Sequence, residues 1–184
     1  MAIQSLEEIK HLRKKFHLNQ KELAGQAGVS QSLIAKIEAG QVDPSFTKAQ
    51  QIFAALEQLR EKKEVKAREI MSTKVVFANI HDSVKDVIRK MKVKGISQMP
   101  VMAQEKVCGI ITESTIIQRI ADHPEKMNVL QAKEVMEDTP PIVTLNTGQR
   151  TLLELLKEYP IVLVADKGDI KGIISKTDLL GKME

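Results

Sequence analysis

Two short stretches of this 184-residue chain carry the same polar groups in the same order. Gly109 to Ile117 reads GIITESTII, and Gly172 to Leu180 reads GIISKTDLL. In each, a glycine and two apolar residues lead to a hydroxyl, Thr112 or Ser175. A second polar group follows three residues later, Thr115 or Asp178. At the start of a helix this spacing makes a capping box, in which the hydroxyl accepts from the third amide and the acid reaches back to the cap's own N–H. The same geometry suits a ligand. A helix start presents unpaired amides and the positive end of a dipole to phosphate, and a carboxylate accepts hydrogen bonds from both ribose hydroxyls. The local sequence leaves both readings open. Thr115 offers no carboxylate, so the two copies are unequal as sites.

Little else in the chain suggests chemistry. His11, His17, His81 and His123 are scattered without the cysteine or carboxylate spacing of a metal site. Cys108, in VCGII, has no evident base beside it and reads as core, while Met91, Met99 and Met102 suit a core or a cleft lining equally. With no nucleophile, metal cluster or phosphate-binding loop in view, we expect neither an enzyme nor a bound cofactor.

Other polar residues gain meaning from the helices that present them. SLEEIKHLRKKF spaces Leu6, Ile9, Leu12 and Phe16 as an amphipathic helix. In LNQKEL, Asn19 and Glu22 form a capping box, with Leu18 and Leu23 as its hydrophobic staple. That helix should stop at Gly28, where glycine tolerates the left-handed conformation. Ser30 then caps QSLIAKIEAG, which ends at Gly40. Two short helices on so tight a turn form a helix-turn-helix, with Ala24 and Ala27 small where the axes approach and Leu23, Ile34 and Ile37 between them. Pro44 and Ser45 open a further helix carrying Ile52, Phe53 and Leu56. A helix-turn-helix lays its second helix in the DNA major groove. Gln31 and Ser32 stand at the start of that helix and Lys36 one turn along the same outward face. Glutamine pairs in bidentate fashion with adenine, and lysine donates to guanine or to phosphate.

Composition agrees with a globular protein: 42% of residues are apolar and 28% charged. No apolar run approaches the ~20 residues that span a bilayer, the N-terminus lacks a secretory core, and one cysteine forms no internal disulfide, so a cytoplasmic location is expected. Three of the four excess positive charges lie in residues 1–66, a surplus that permits nucleic-acid binding without demonstrating it. After Leu59, LREKKEVKAREI is dense in charge and reads as a helical connector. Beyond it the chain repeats itself. AREIM recurs as AKEVM, KVVFANI answers PIVTLNT, SVKDVIRKM answers QRTLLELLK, and MPVMAQEKVCGIIT answers IVLVADKGDIKGIIS. Each copy reads strand, helix, strand, strand, helix. One copy has little core of its own, so the two should pack about a pseudo-twofold axis with two equivalent clefts.

The stretch NQKELAGQAGVSQSLIAKIEAGQVDPSF resembles the helix-turn-helix of the lambda repressor and Cro type, also called XRE-like, over roughly residues 5 to 57. The resemblance implies operator binding and gives Gln20 a phosphate-holding role. Residues 66 to 184 resemble a pair of CBS domains, a tandem that in its family binds adenine nucleotides or related adenosyl ligands. By that resemblance Ser175 would meet phosphate, Asp178 the ribose, and Ile142 and Ile161 would flank the adenine. In the first copy Thr112 and Thr115, with Val75 and Met99 as wall positions, would make a weaker, empty or differently tuned cleft.

The expected protein is therefore an α+β multidomain chain. Residues 1–58 form the helix-turn-helix bundle, 59–66 a helical connector, 67–124 the first CBS repeat and 130–184 the second. It would bind double-stranded DNA as a homodimer and answer to AMP, ADP, ATP or an S-adenosylmethionine-type ligand, with no membrane partner. The alternative is an adaptor whose CBS pair regulates a partner enzyme and whose helical head serves protein contact or dimerisation.

Overall fold

The computed structural model describes residues 5–182, so the expected domain limits at 1 and 184 lie outside it. The chain divides into two units, one up to Glu64 and one from Val65. No helix among the described residues is long and apolar enough to cross a membrane.

The first unit is all helical: α1 (Glu7–Lys15), α2 (Gln20–Ala27), α3 (Gln31–Glu38) and α4 (Phe46–Lys63). Its punctuation is written in the sequence. The Glu22 N–H donates to Asn19 Oδ1 (2.9 Å) and the Asn19 N–H to Glu22 Oε2 (2.7 Å), closing the capping box. Gly28 ends α2 at φ +63°, and the Ser30 hydroxyl accepts from the Leu33 N–H at the start of α3. Ile9, Leu23, Ile34 and Ile52 are fully buried between the helices, with Ala24 and Ala27 at the close approach. Residues 59–63 are no separate connector. They are the last turn of α4, where Leu59 packs on this core and the Lys63 ammonium donates to the Phe16 carbonyl (3.1 Å) while lying over the Phe16 ring.

One charged pair sits inside this unit. Arg13 and Glu38 occupy the apolar stripes of α1 and α3, one turn beyond Ile9 and Ile34. The Arg13 Nε and Nη2 groups donate to Glu38 at 2.6 and 2.8 Å, and Nη1 donates to the Leu18 carbonyl at 2.6 Å. The hydrogen bond to Glu38 raises the Arg13 pKa against the cost of burial. Burial pushes Glu38 up, but hydrogen bonds from Arg13 and Gln20 and the charges of Arg13 and Lys10 outweigh it and hold the carboxyl below its ordinary range.

The second unit contains two copies of one motif. The first runs α5 (Ala67–Ile70), β1 (Ala78–Asn79), α6 (Val84–Lys94), β2 (Gln98–Ala103), β3 (Lys106–Thr112) and α7 (Glu113–Asp122). After a 3-10 turn at Pro124–Lys126, the second runs α8 (Ala132–Val135), β4 (Ile142–Thr144), α9 (Gln149–Glu158), β5 (Ile161–Asp166), β6 (Asp169–Ser175) and α10 (Lys176–Leu180). Each copy forms a three-stranded sheet, ordered β1-β2-β3 and β4-β5-β6, whose first pair is parallel and second antiparallel. Both carry a register shift at the same place, Val101/Met102 and Val164/Ala165. The sheets meet along a seam of Ile110, Ile161 and Leu163.

The repeat written in the sequence is not the packing unit. Ala67 and Ile70, which open the first copy, are buried in the core of the second with Leu152, Leu156, Val162, Val164 and Ile174. Ala132 and Val135, which open the second copy, are buried in the core of the first with Val84, Val87, Met99 and Ile111. Backbone bonds repeat the exchange: Ala67 to Thr147 and Ser72 to Ile173 on one side, Ala132 to Asp82 and Glu137 to Ile110 on the other. Neither copy closes its core without the other.

Glu38→Ala leaves the Arg13 guanidinium buried and unpaired, so we expect the first unit to lose about 3–5 kcal/mol, measured by denaturant melts. Because the folded Glu38 pKa is lowered, its contribution is complete above the ordinary glutamate range of about 4.3 and fades as pH falls through the lowered value. Acid melts of the wild type should show this loss and those of Glu38→Gln should show less of it.

Candidate functional sites

On the helical unit, Gln31, Ser32 and Lys36 are exposed on α3. Gln31 is oriented from below. Its Nε2 donates to Gln20 Oε1 (3.0 Å), and the Gln20 amide donates in turn to Glu38 Oε2 (3.0 Å). The buried Arg13–Glu38 pair thus fixes Gln20, and Gln20 fixes the exposed Gln31. Gln20, expected to hold phosphate, has its carbonyl and one N–H already engaged, which leaves its second N–H for another partner. Beside them lies an open groove of about 640 Å³ lined by Arg13, Asn19, Gln20, Lys21 and Gln31. The sequence reading passed over Lys21, although it follows Gln20 at the start of α2, and over the Arg13–Glu38 pair. A charge on each apolar stripe was the available signal.

In the second unit both motif copies form complete capping boxes. The Asp178 N–H donates to Ser175 Oγ (3.3 Å), and the Ser175 N–H and hydroxyl donate to Asp178 Oδ2 at 2.8 and 2.5 Å. Thr112 and Thr115 make the equivalent reciprocal bonds at 3.1 and 3.0 Å. Thr115 therefore keeps the reciprocal backbone bonds of the cap but offers no carboxylate, and its hydroxyl lies 3.5 Å from that of Thr112 where Asp178 takes a 2.5 Å bond from Ser175. A further asymmetry lies in the amides. The first amide of α7, that of Glu113, already donates to the Ser97 carbonyl (3.0 Å). Among the described residues Lys176, at the start of α10, makes no such bond to Pro160.

The motif glycines answer to packing. A Cβ on Gly172 would lie 2.6 Å from the Met71 sulfur, and one on Gly109 would lie 2.5 Å from the Glu137 carbonyl and 2.9 Å from the Met136 sulfur. Each glycine is the crossing point of the other copy's opening segment.

The wall positions need correction. Ile161 pairs across the ladder with Ser175 and Gln98 with Thr112, so Gln98, not Met99, corresponds to Ile161. Met99 corresponds to Val162, and both are fully buried in their respective cores. Ile161 is fully buried too, in the seam between the sheets, so it does not line an open cleft. One residue of slip moves a strand position to the other face, and Met99 illustrates it. On the first strand, Ile142 pairs with Leu163 and Ala78 with Val101, which makes Phe77 the counterpart of Ile142; Val75 corresponds to Pro140. Ile142 is half exposed. A depression of about 480 Å³ lies at this end of the second sheet, lined by Ile110, Glu137, Asp138, Pro140, Glu158, Tyr159 and Pro160. Tyr159 and Pro160 lead into Ile161, the ladder partner of Ser175.

The profile of the CBS domain family matches residues 67–122 and 132–184. The chain belongs to the CBS-domain family. A helix-turn-helix profile matches residues 9–63, so the CBS pair follows a head of the XRE-like type. An uncharacterized protein of Methanocaldococcus jannaschii is 30% identical over 118 residues, which are 63% of this chain and 43% of that protein. The A-adding tRNA nucleotidyltransferase of Aquifex aeolicus is 25% identical over 146 residues, 78% of this chain and 18% of the enzyme. The chain thus spans less than half the length of these two relatives. Among solved structures, a CBS domain crystal structure superposes with TM-score 0.60 and 26% identity, covering 65% of this chain and 97% of the other. A protein with CBS domains from Burkholderia ambifaria superposes with TM-score 0.61 at 21% identity, covering 65% of this chain and 93% of the other. These structures match the extent of the CBS pair.

Ser175→Ala and Thr112→Ala each remove the side-chain cap of their helix. Each should lower the stability of the CBS pair by about 1 kcal/mol in urea melts without any ligand present.

Proposed function

We propose that this protein is a DNA-binding transcription regulator whose CBS pair senses an adenine nucleotide or another adenosyl ligand. The observation that carries the first half is the exposed Gln31 amide, held in place by Gln20 and Glu38 at the start of the second helix of a helix-turn-helix. That is the position from which such helices reach base edges. Ser32 and Lys36 share the face, and Lys21 beside the groove supplies charge for the phosphate backbone. One head reads about half a site, so two copies would bind half-sites roughly 34 Å apart, as a homodimer.

For the second half, the supporting features are Asp178, whose remaining oxygen is available to a ribose, and a depression bordered by Tyr159 and Pro160, which lead into Ile161, the ladder partner of Ser175. The first cleft, with Thr115 and an engaged Glu113 amide, is the weaker of the two. An adaptor function would leave the ordered Gln31 face without a role.

DNA binding should weaken steeply with salt, and Lys21→Ala or Lys36→Ala should each lower the slope of log affinity against log salt by about one. Gln31→Ala should cost about 1–3 kcal/mol at the preferred base and relax selectivity there, as read by competition between duplexes selected from a random library. A salt-independent interaction would refute DNA binding.

Asp178→Asn keeps an oxygen for the cap but loses the charge, whereas Asp178→Ala loses both. Calorimetric titration with AMP, ADP, ATP and S-adenosylmethionine should show weakened binding in both variants, by about 1.5–3 kcal/mol for the lost charged hydrogen bonds. Weakening in Asp178→Ala alone would mean that the carboxylate charge plays no part in binding and would overturn the charged ribose contact.

A further inference from the structure

The exchange of opening segments has an unequal consequence for the two clefts. The segment Leu130–Glu137, which clasps the first repeat at Gly109, arises from the CBS pair itself. The segment Val65–Ser72, which clasps the second repeat at Gly172, is the direct continuation of α4. A single residue, Glu64, stands between the last helical residue of the head and Val65. From there the chain is bonded to the second repeat at each step. The Val65 carbonyl accepts from the Gln149 N–H (2.9 Å), the Ala67 N–H donates to Thr147 (2.8 Å), the Arg68 N–H donates to Leu145 (3.1 Å), and Ser72 and Ile173 exchange two bonds (2.9 and 3.0 Å). Ala67 is fully buried, and Met71 lies on Gly172. Gly172 and Ile173 belong to β6, which runs two residues further into Ser175 and the Asp178 cap.

We propose that the head reads the second cleft and not the first. The first repeat is adjacent to the head in sequence, but the strand joined to the head by this strap is β6 of the second. A ligand that repositions the Ser175–Asp178 turn acts on Ile173 and Gly172, hence on Ser72 and Met71, and so on the segment that continues α4. A ligand in the first cleft acts on Ile110 and Gly109, whose partners Met136 and Glu137 lead only back into the CBS pair. This names the regulatory route of the adenosyl site proposed above and rests on that reading.

The pseudo-symmetry supplies the control, because Met71 and Met136 hold equivalent positions on opposite straps. Operator affinity of the full-length protein would be measured on a selected duplex with and without saturating ATP or S-adenosylmethionine, in the wild type, Met71→Ala and Met136→Ala. We expect a ligand effect of about fivefold or more in the wild type and in Met136→Ala, and its loss in Met71→Ala with ligand affinity kept. Equal behaviour of the two variants would overturn the route. A second arm needs no ligand. Hydrogen exchange at the Ser72 amide should quicken in Asp178→Ala and stay unchanged in Thr115→Ala, with the opposite pattern at the Glu137 amide. If neither compound alters operator affinity in the wild type but this exchange pattern holds, the effector reading fails while the strap stands. If the exchange pattern is absent, the route itself is wrong.

Discussion

The CBS pair depends on two close crossings, each made over a glycine. Met71 passes over Gly172 and Met136 over Gly109, and each crossing brings a segment of one repeat into the core of the other. A Cβ on Gly109 would meet the Glu137 backbone carbonyl at 2.5 Å, which requires glycine there, whereas one on Gly172 would meet the Met71 side chain at 2.6 Å, which would have to shift. Ala67 and Ala132, small and fully buried at the start of each strap, meet the same need for close approach. The reciprocal arrangement answers the small core of a single copy, since each repeat is completed by residues that its partner supplies.

On this symmetric frame the two copies of the motif have diverged without disturbing the fold. A threonine hydroxyl and an aspartate carboxylate both close the capping box, so the change between Thr115 and Asp178 keeps the fold of the turn while altering the charge it presents. Gln98 and Ile161, which sit opposite the cap residues in the two ladders, differ in packing as well, since Ile161 is fully buried in the seam and Gln98 is half-buried.

The head uses polar burial differently. Replacing a buried ion pair with apolar residues is often neutral or stabilising, so the Arg13–Glu38 pair is poorly explained by stability alone. Its geometry suggests an orienting role: Glu38 holds Gln20, and Gln20 holds Gln31 at the surface. An amide that reads a base edge must present donor and acceptor in fixed directions, and a side chain free to rotate would lose entropy on binding to do so. The cost of burying the pair is offset, in this view, by an ordered Gln31.

Legibility followed the range of the interactions. Caps at Asn19, Ser30 and Ser175, the stops at Gly28 and Gly40, and the order of strands and helices in each repeat were readable because they are set within a few residues. The exchange of straps was not, since AREIM and AKEVM are alike and nothing local says whose core each enters. The wall positions failed for a related reason. Matching KVVFANI to PIVTLNT aligned Val75 with Ile142, but the spacing of 65 residues that relates AREIM to AKEVM aligns Phe77 with it. On β2 and β5, the two repeats differ by two residues between helix and strand, and an eye that matches Met99 to Ile161 crosses from one face of the sheet to the other. The correct partner, Gln98, is polar and breaks the apolar pattern. Positions that depart from their repeat's pattern are poor guides to alignment, yet in a duplicated module with a shared core they are where two clefts can differ.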